Sequence, residues 1–140
     1  MTSFRTRVQA AYEIVAQPYG TLNDASVVSG QLRPGPTKIW YYRPDHSRDL
    51  GMGAEWCRQH GRLPDPGNLQ RTHELLGSVL ATDPDQIYRL LQSEVWSPAG
   101  EARQLIKRLN LTHTSMSVGD IIEIGSKVLM VDENGFHPLA

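Results

Sequence analysis

The chain has 140 residues, 39% of them hydrophobic, with 14 Lys and Arg against 15 Asp and Glu, a net charge of -1. The length fits one domain with its own core over 1–140, and the charge balance argues against both a generic polyanion binder and a strongly acidic mimic of nucleic acid. A lone cysteine, Cys57, excludes an internal disulfide and gives no secretory signature.

Val8, Ala11, Tyr12 and Val15 recur at helical spacing and predict an N-terminal helix over 4–16, ended by Pro18 and Gly20. Gly30, Pro34, Gly35 and Pro36 mark 21–37 as a long loop with room for a short strand at 25–28. Lys38-Ile39-Trp40-Tyr41-Tyr42 predicts a strand stopped by Pro44, because aromatic and β-branched side chains suit a pleated surface. A helix is expected over 50–60, with Ala54, Trp56 and Cys57 inward and Gly51 and Gly53 against it. Leu63 to Gly67 reads as a turn.

Leu69, Thr72, Leu75, Leu76 and Val79 predict a further helix over 68–80, capped by Asn68. Asp83-Pro84-Asp85-Gln86 starts another that runs to about Val95. Ser97-Pro98 predicts a third start, with Glu101 on the helix dipole and Asn110 as the stop. The period then changes to two: strands at 121–124, 128–131 and 136–139, with Asn134-Gly135 as a hairpin turn. The fold class is α+β: an N-terminal helix, central helices and a small C-terminal antiparallel sheet. Ile122, Ile124, Val128, Met130, Leu105, Ile106, Leu75, Leu76, Ile87 and Leu90 are the expected core.

Chemistry concentrates in the last third. His113 beside Thr114, Ser115 and Ser117 has the groups for phosphate binding or for a histidine base acting on a serine; the structural alternative is that the hydroxyls satisfy loop backbone before Gly119-Asp120 turns into a strand. No Gly-x-Ser-x-Gly elbow accompanies them. Trp96 and Arg103 offer stacking and charge, and Glu94 and Glu101 offer acids; the alternative is a core tryptophan with a helix start behind it. Cys57, His60, His73, His113 and His137 are ligand types too scattered to predict a metal, and no cofactor motif is present.

The run Gln92-Ser93-Glu94-Val95-Trp96-Ser97-Pro98-Ala99-Gly100-Glu101-Ala102-Arg103, then His113 to Ile122 and Asn134-Gly135-Phe136, resembles the YodL-like proteins of plasmids, phages and integrated elements, over a segment within 83–140. The resemblance implies a mobile-element setting and carries no assigned catalytic residues. The expected function is a non-enzymatic accessory module that docks on a protein or protein–nucleic-acid complex, an anti-defence inhibitor being the special case. Its binding residues would be Trp96, Glu101, Arg103, His113, Ser115, Ser117 and Asp120. One alternative is a small hydrolase or nucleotide-modifying enzyme using His113 with Ser115 or Ser117 and the carboxylate of Glu94 or Glu101. Another is direct nucleic-acid binding through Lys38, Trp40, Arg43, Arg103, Lys107 and Arg108. The first residues show no apolar core of a secretory signal and no run reaches the ~18 apolar residues of a membrane span, so a cytoplasmic location without membrane contact is expected.

Overall fold

The aromatic strand forms as expected, and both helical layers pack against it. The structure, a computed structural model, describes residues 32–140. The helix expected over 4–16, the strand at 25–28 and most of the 21–37 loop lie outside the described residues; Leu32, at the end of that loop, is buried in the core.

Strand β1 (Thr37–Tyr42) sits inside a five-stranded antiparallel sheet with β2 (His73–Val79), β3 (Ile121–Ile124), β4 (Lys127–Asp132) and β5 (Gly135–Pro138), in the order β2-β1-β3-β4-β5. Alternation along each strand gives the sheet two apolar faces. On one face Ile39, Tyr41, Leu76, Ile122 and Val131 pack under α3 (Pro84–Leu90), α4 (Ser93–Trp96) and α5 (Arg103–Arg108). On the other, Trp40, Ile121, Val128 and Met130 meet α1 (Ser47–Leu50) and α2 (Ala54–Gln59). The class is α+β, with the sheet held between two layers of short helices. Among the described residues no helix is long and apolar enough to cross a membrane.

The structure corrects four readings. Residues 68–80 are not a helix: a 3-10 turn (Leu69–Arg71) leads into β2, which pairs with β1 from Tyr42↔His73 to Thr37↔Val79 with a bulge at Ile39/Trp40. The helical spacing of Leu69, Thr72, Leu76 and Val79 is equally served by a turn followed by a bulged strand, and pairing with β1 decides between them, since sheet context overrides local propensity. Leu75, expected in the core, is therefore 39% exposed. The 50–60 helix is two pieces, α1 and α2, divided by the Gly51-Met52-Gly53 turn. The helix expected through Val95 breaks at Leu91-Gln92, where the Leu91 carbonyl accepts the Met116 N–H.

The helix start at Ser97-Pro98 is also displaced. Ser97 ends α4 and α5 begins at Arg103, because Gly100 adopts φ +86, a left-handed conformation that interrupts the helical path. Ser97 Oγ still accepts a backbone N–H, from Ala102 at 2.9 Å. The Asn110 stop forms as read: Asn110 has φ 60 and the Leu111 N–H returns to the Ile106 carbonyl. The strands at 121–124 and 128–131 and the Asn134-Gly135 hairpin stand where the period placed them. Ile124 and Leu90 are half-buried against the core.

The phase of α3 gives a stability test. Leu91→Ala, at a fully buried position, should cost about 2–5 kcal/mol in urea unfolding, and Leu90→Ala measurably less. A larger loss at Leu90 than at Leu91 would contradict this packing.

Candidate functional site

The pairing of β1 with β3 stops at Trp40↔Ile121, leaving Tyr41 and Tyr42 beyond the last β3 partner. Asp120, the residue before β3, fills that place with its side chain. Its Oδ1 accepts the Tyr42 N–H at 2.9 Å and its Oδ2 accepts the Ser117 N–H at 2.8 Å. His113 Nε2 lies 3.0 and 2.9 Å from the two oxygens. The imidazole stacks on both tyrosines, with centroids 4.5 Å from Tyr41 and 4.1 Å from Tyr42 and planes within 15° of parallel.

The rest of the 113–119 segment is fixed as firmly. The Thr114 carbonyl accepts the Tyr41 hydroxyl at 2.7 Å and the Trp96 indole N–H at 3.2 Å. Ser115 Oγ accepts the Ser93 N–H, and the Ser117 hydroxyl donates to the Ser115 carbonyl. Gly119 has φ +103, and a Cβ there would stand 2.8 Å from Leu50 Cβ, so only glycine fits. Its carbonyl takes a 2.7 Å hydrogen bond from His73 Nε2, while the Thr72 hydroxyl lies 2.7 Å from His73 Nδ1. Both ring nitrogens are thus satisfied with the imidazole neutral: Nε2 donates and Nδ1 accepts.

Burial sets the electrostatics. It pushes the Asp120 carboxyl above its ordinary value, against the opposing pull of His113 and of the Ser117 and Tyr42 N–H groups. It raises the Tyr41 hydroxyl well above its usual range and Tyr42 in the same direction, with Asp120 adding to both. It drives His73 down to about 4, helped by the nearby His46, Arg43 and His113.

The seven residues singled out by the sequence thus separate. His113, Ser115, Ser117 and Asp120 form one cluster, and Trp96 joins it through Thr114. Trp96 and Asp120 are 0% exposed, so the ring does not stack on an outside base and the carboxylate does not face a ligand. Glu101 is buried, with Oε1 accepting the Ala99 N–H, and it holds the turn ahead of α5 rather than the helix dipole. Among the seven, Arg103 alone is exposed. The aromatic platform read at 38–43 is closed too: Trp40 and Tyr41 are buried, Trp40 donates to Glu123, and Arg43 is paired with Glu74.

The enzymatic set does not assemble. His113 Nε2 is committed to Asp120, and Nδ1 is buried without a hydrogen bond, so no serine hydroxyl meets either nitrogen. The acid beside the histidine is Asp120, not Glu94 or Glu101. Among the described residues, no group of three or more His, Cys, Asp and Glu side chains is placed to hold a metal.

Next to the cluster the surface opens into a groove of about 490 Å³, lined by Arg103, Lys107, Thr112 and Thr114 over Ile106 and Leu111. Thr114 belongs to both, its carbonyl in the cluster and its side chain at the groove. Sequence reasoning missed the two tyrosines around His113 and the His73–Gly119 bond, which depend on contacts 46 to 78 residues apart and leave no local signal. The Arg103/Lys107 pair was legible, as two cations at i, i+4. Comparison of the chain with protein-family models, curated proteins and solved structures finds no match.

Two measurements test this site. Asp120→Ala leaves the Tyr42 and Ser117 N–H groups buried without an acceptor and should cost about 2–5 kcal/mol of unfolding free energy, since each orphaned donor costs ~1–3 kcal/mol; a loss under about 0.5 kcal/mol would mean water replaces the carboxylate. For His73, the folded value of about 4 lies below its ordinary 6.5. Its contribution is therefore complete above about pH 6.5 and lost as pH falls toward 4, on the order of 3 kcal/mol in all. His73→Gln should flatten the stability–pH curve over that window; parallel curves for the two proteins would show that His73 is not held neutral.

Proposed function

We propose that this chain is a non-enzymatic docking module acting on a protein or protein–nucleic-acid complex in the cytoplasm, and that its docking face is the surface of α5 with the 110–114 segment. The observation that carries the reading is the contrast between the two neighbouring features. The residues with catalytic potential point inward and are used up in holding the loop, whereas the adjacent groove presents Arg103, Lys107 and two threonines to solvent. A hydrolase using His113 needs a hydroxyl on one of its ring nitrogens, and none is there. The resemblance of the 83–140 segment to YodL-like proteins of mobile elements supports an accessory role, with an anti-defence inhibitor as its special case.

The test is co-purification of the tagged full chain from its native host with Arg103→Glu and Lys107→Glu as comparators, their folding checked by circular dichroism. The expected outcome is one partner in fixed proportion with the parent chain and its loss with both variants. Ser115→Ala and Ser117→Ala, if folded, should retain it. Recovery of the same partner by all four variants would remove this face, and loss of function confined to the serine variants would favour the hydrolase.

A further inference from the structure

We propose that the groove beside α5 takes an acidic peptide segment of the docking partner, its carboxylates held by Arg103 and Lys107. This rests on the docking reading above and adds the chemistry of what docks. The first support is charge. Arg103 and Lys107 are exposed, stand one helical turn apart, and make no ion pair among the described residues. Like charges at that spacing weaken a helix, so the pair is uncompensated until an anion arrives. Glu101, two residues from Arg103, does not supply it, because it is buried on the Ala99 N–H.

The second support is shape. The groove has an apolar base in Ile106 and Leu111, each 6% exposed, beneath a polar rim. On an extended peptide, residues on one side repeat at roughly 6.5–7 Å. That matches the ~5–6 Å between side chains at i and i+4 on a helix once long side chains splay. Successive same-side carboxylates can therefore reach the two cations together, with Thr112 and Thr114 hydroxyls available to the peptide backbone.

The third support separates carboxylates from phosphate. Phosphate sites draw on main-chain N–H groups at helix N-termini or in backbone nests. Here the N–H groups at the end of α5 are spent: Leu109 on Leu105, Asn110 on Lys107, Leu111 on Ile106. Two side-chain cations spread along a groove suit distributed carboxylates. A chain of net charge -1 also gives little hold on a nucleic-acid strand.

The experiment titrates the full chain into a short fluorescein-labelled peptide alternating glutamate and leucine and follows anisotropy at low and high salt, with amide shifts recorded by NMR. Saturable binding is expected, with shifts at Thr112 and Thr114. Arg103→Glu and Lys107→Glu should each weaken it about tenfold or more, as loss of a charge-assisted contact does, and Lys38→Glu, beside the separate groove at Trp40, should leave it unchanged. Absence of saturable binding, equal binding by the two variants, or displacement of the peptide by inorganic phosphate or an oligothymidylate at similar concentration overturns the acidic-peptide assignment. Failure with the peptide while the native partner is still lost in Arg103→Glu removes the acidic class alone; a native partner indifferent to both variants removes the docking face as well.

Discussion

The carboxylate of Asp120 is the constraint on which the 113–120 loop and the end of β1 depend. A strand that outruns its neighbour leaves backbone donors without a ladder partner, and such donors are costly when buried. Asp120 ends that problem for Tyr42 and also takes the Ser117 N–H of its own loop. An anion buried so completely is itself expensive. His113 offsets that cost by hydrogen bonding across both oxygens, and it is held there by the faces of Tyr41 and Tyr42. The cluster is closed: remove the imidazole and the carboxylate loses its partner, remove the carboxylate and two N–H groups lose theirs.

The same loop is fastened at two further places, which makes it a rigid strap. Thr114 is held by Tyr41 and Trp96 from the α3–α5 side of the sheet, and Gly119 is held by His73 against Leu50 on the other. The 113–119 segment therefore ties together both helical layers across the top of the sheet. The groove beside α5 inherits its shape from this, because Thr112 and Thr114 line it and cannot move without disturbing the strap. A pre-formed groove loses little conformational entropy when filled, which favours binding.

Local signals in the sequence were sufficient where the chain is punctuated and insufficient where it is paired at distance. The period-two runs at 121–124 and 128–131, the Asn134-Gly135 turn and the Asn110 stop each follow from one or two residues whose backbone preference has a single outcome. Residues 68–80 failed because a leucine-rich run at helical spacing also fits a turn and a bulged strand, and only β1 resolves the ambiguity. The Ser97-Pro98 start failed through Gly100, two residues on, whose positive φ postpones the helix. At the site, the sequence brought out His113, Ser115, Ser117 and Asp120 as a group without their orientation. Exposure decides orientation, and exposure is settled by Tyr41 and Tyr42, more than 70 residues earlier.

That orientation bears directly on function. A histidine with an aspartate partner is, in isolation, the pattern of an oriented base. Its use requires the second nitrogen to meet a substrate proton, and Nδ1 of His113 is enclosed. The burial that makes the pair a strong fastening is what denies it reactive access, so the residues richest in chemistry serve architecture. Arg103 and Lys107, which are among the residues facing solvent at this end, have little reactivity and long-range charge. In the proposed docking role such groups would steer and hold a partner, and the strap beside them would give that partner a fixed surface to meet.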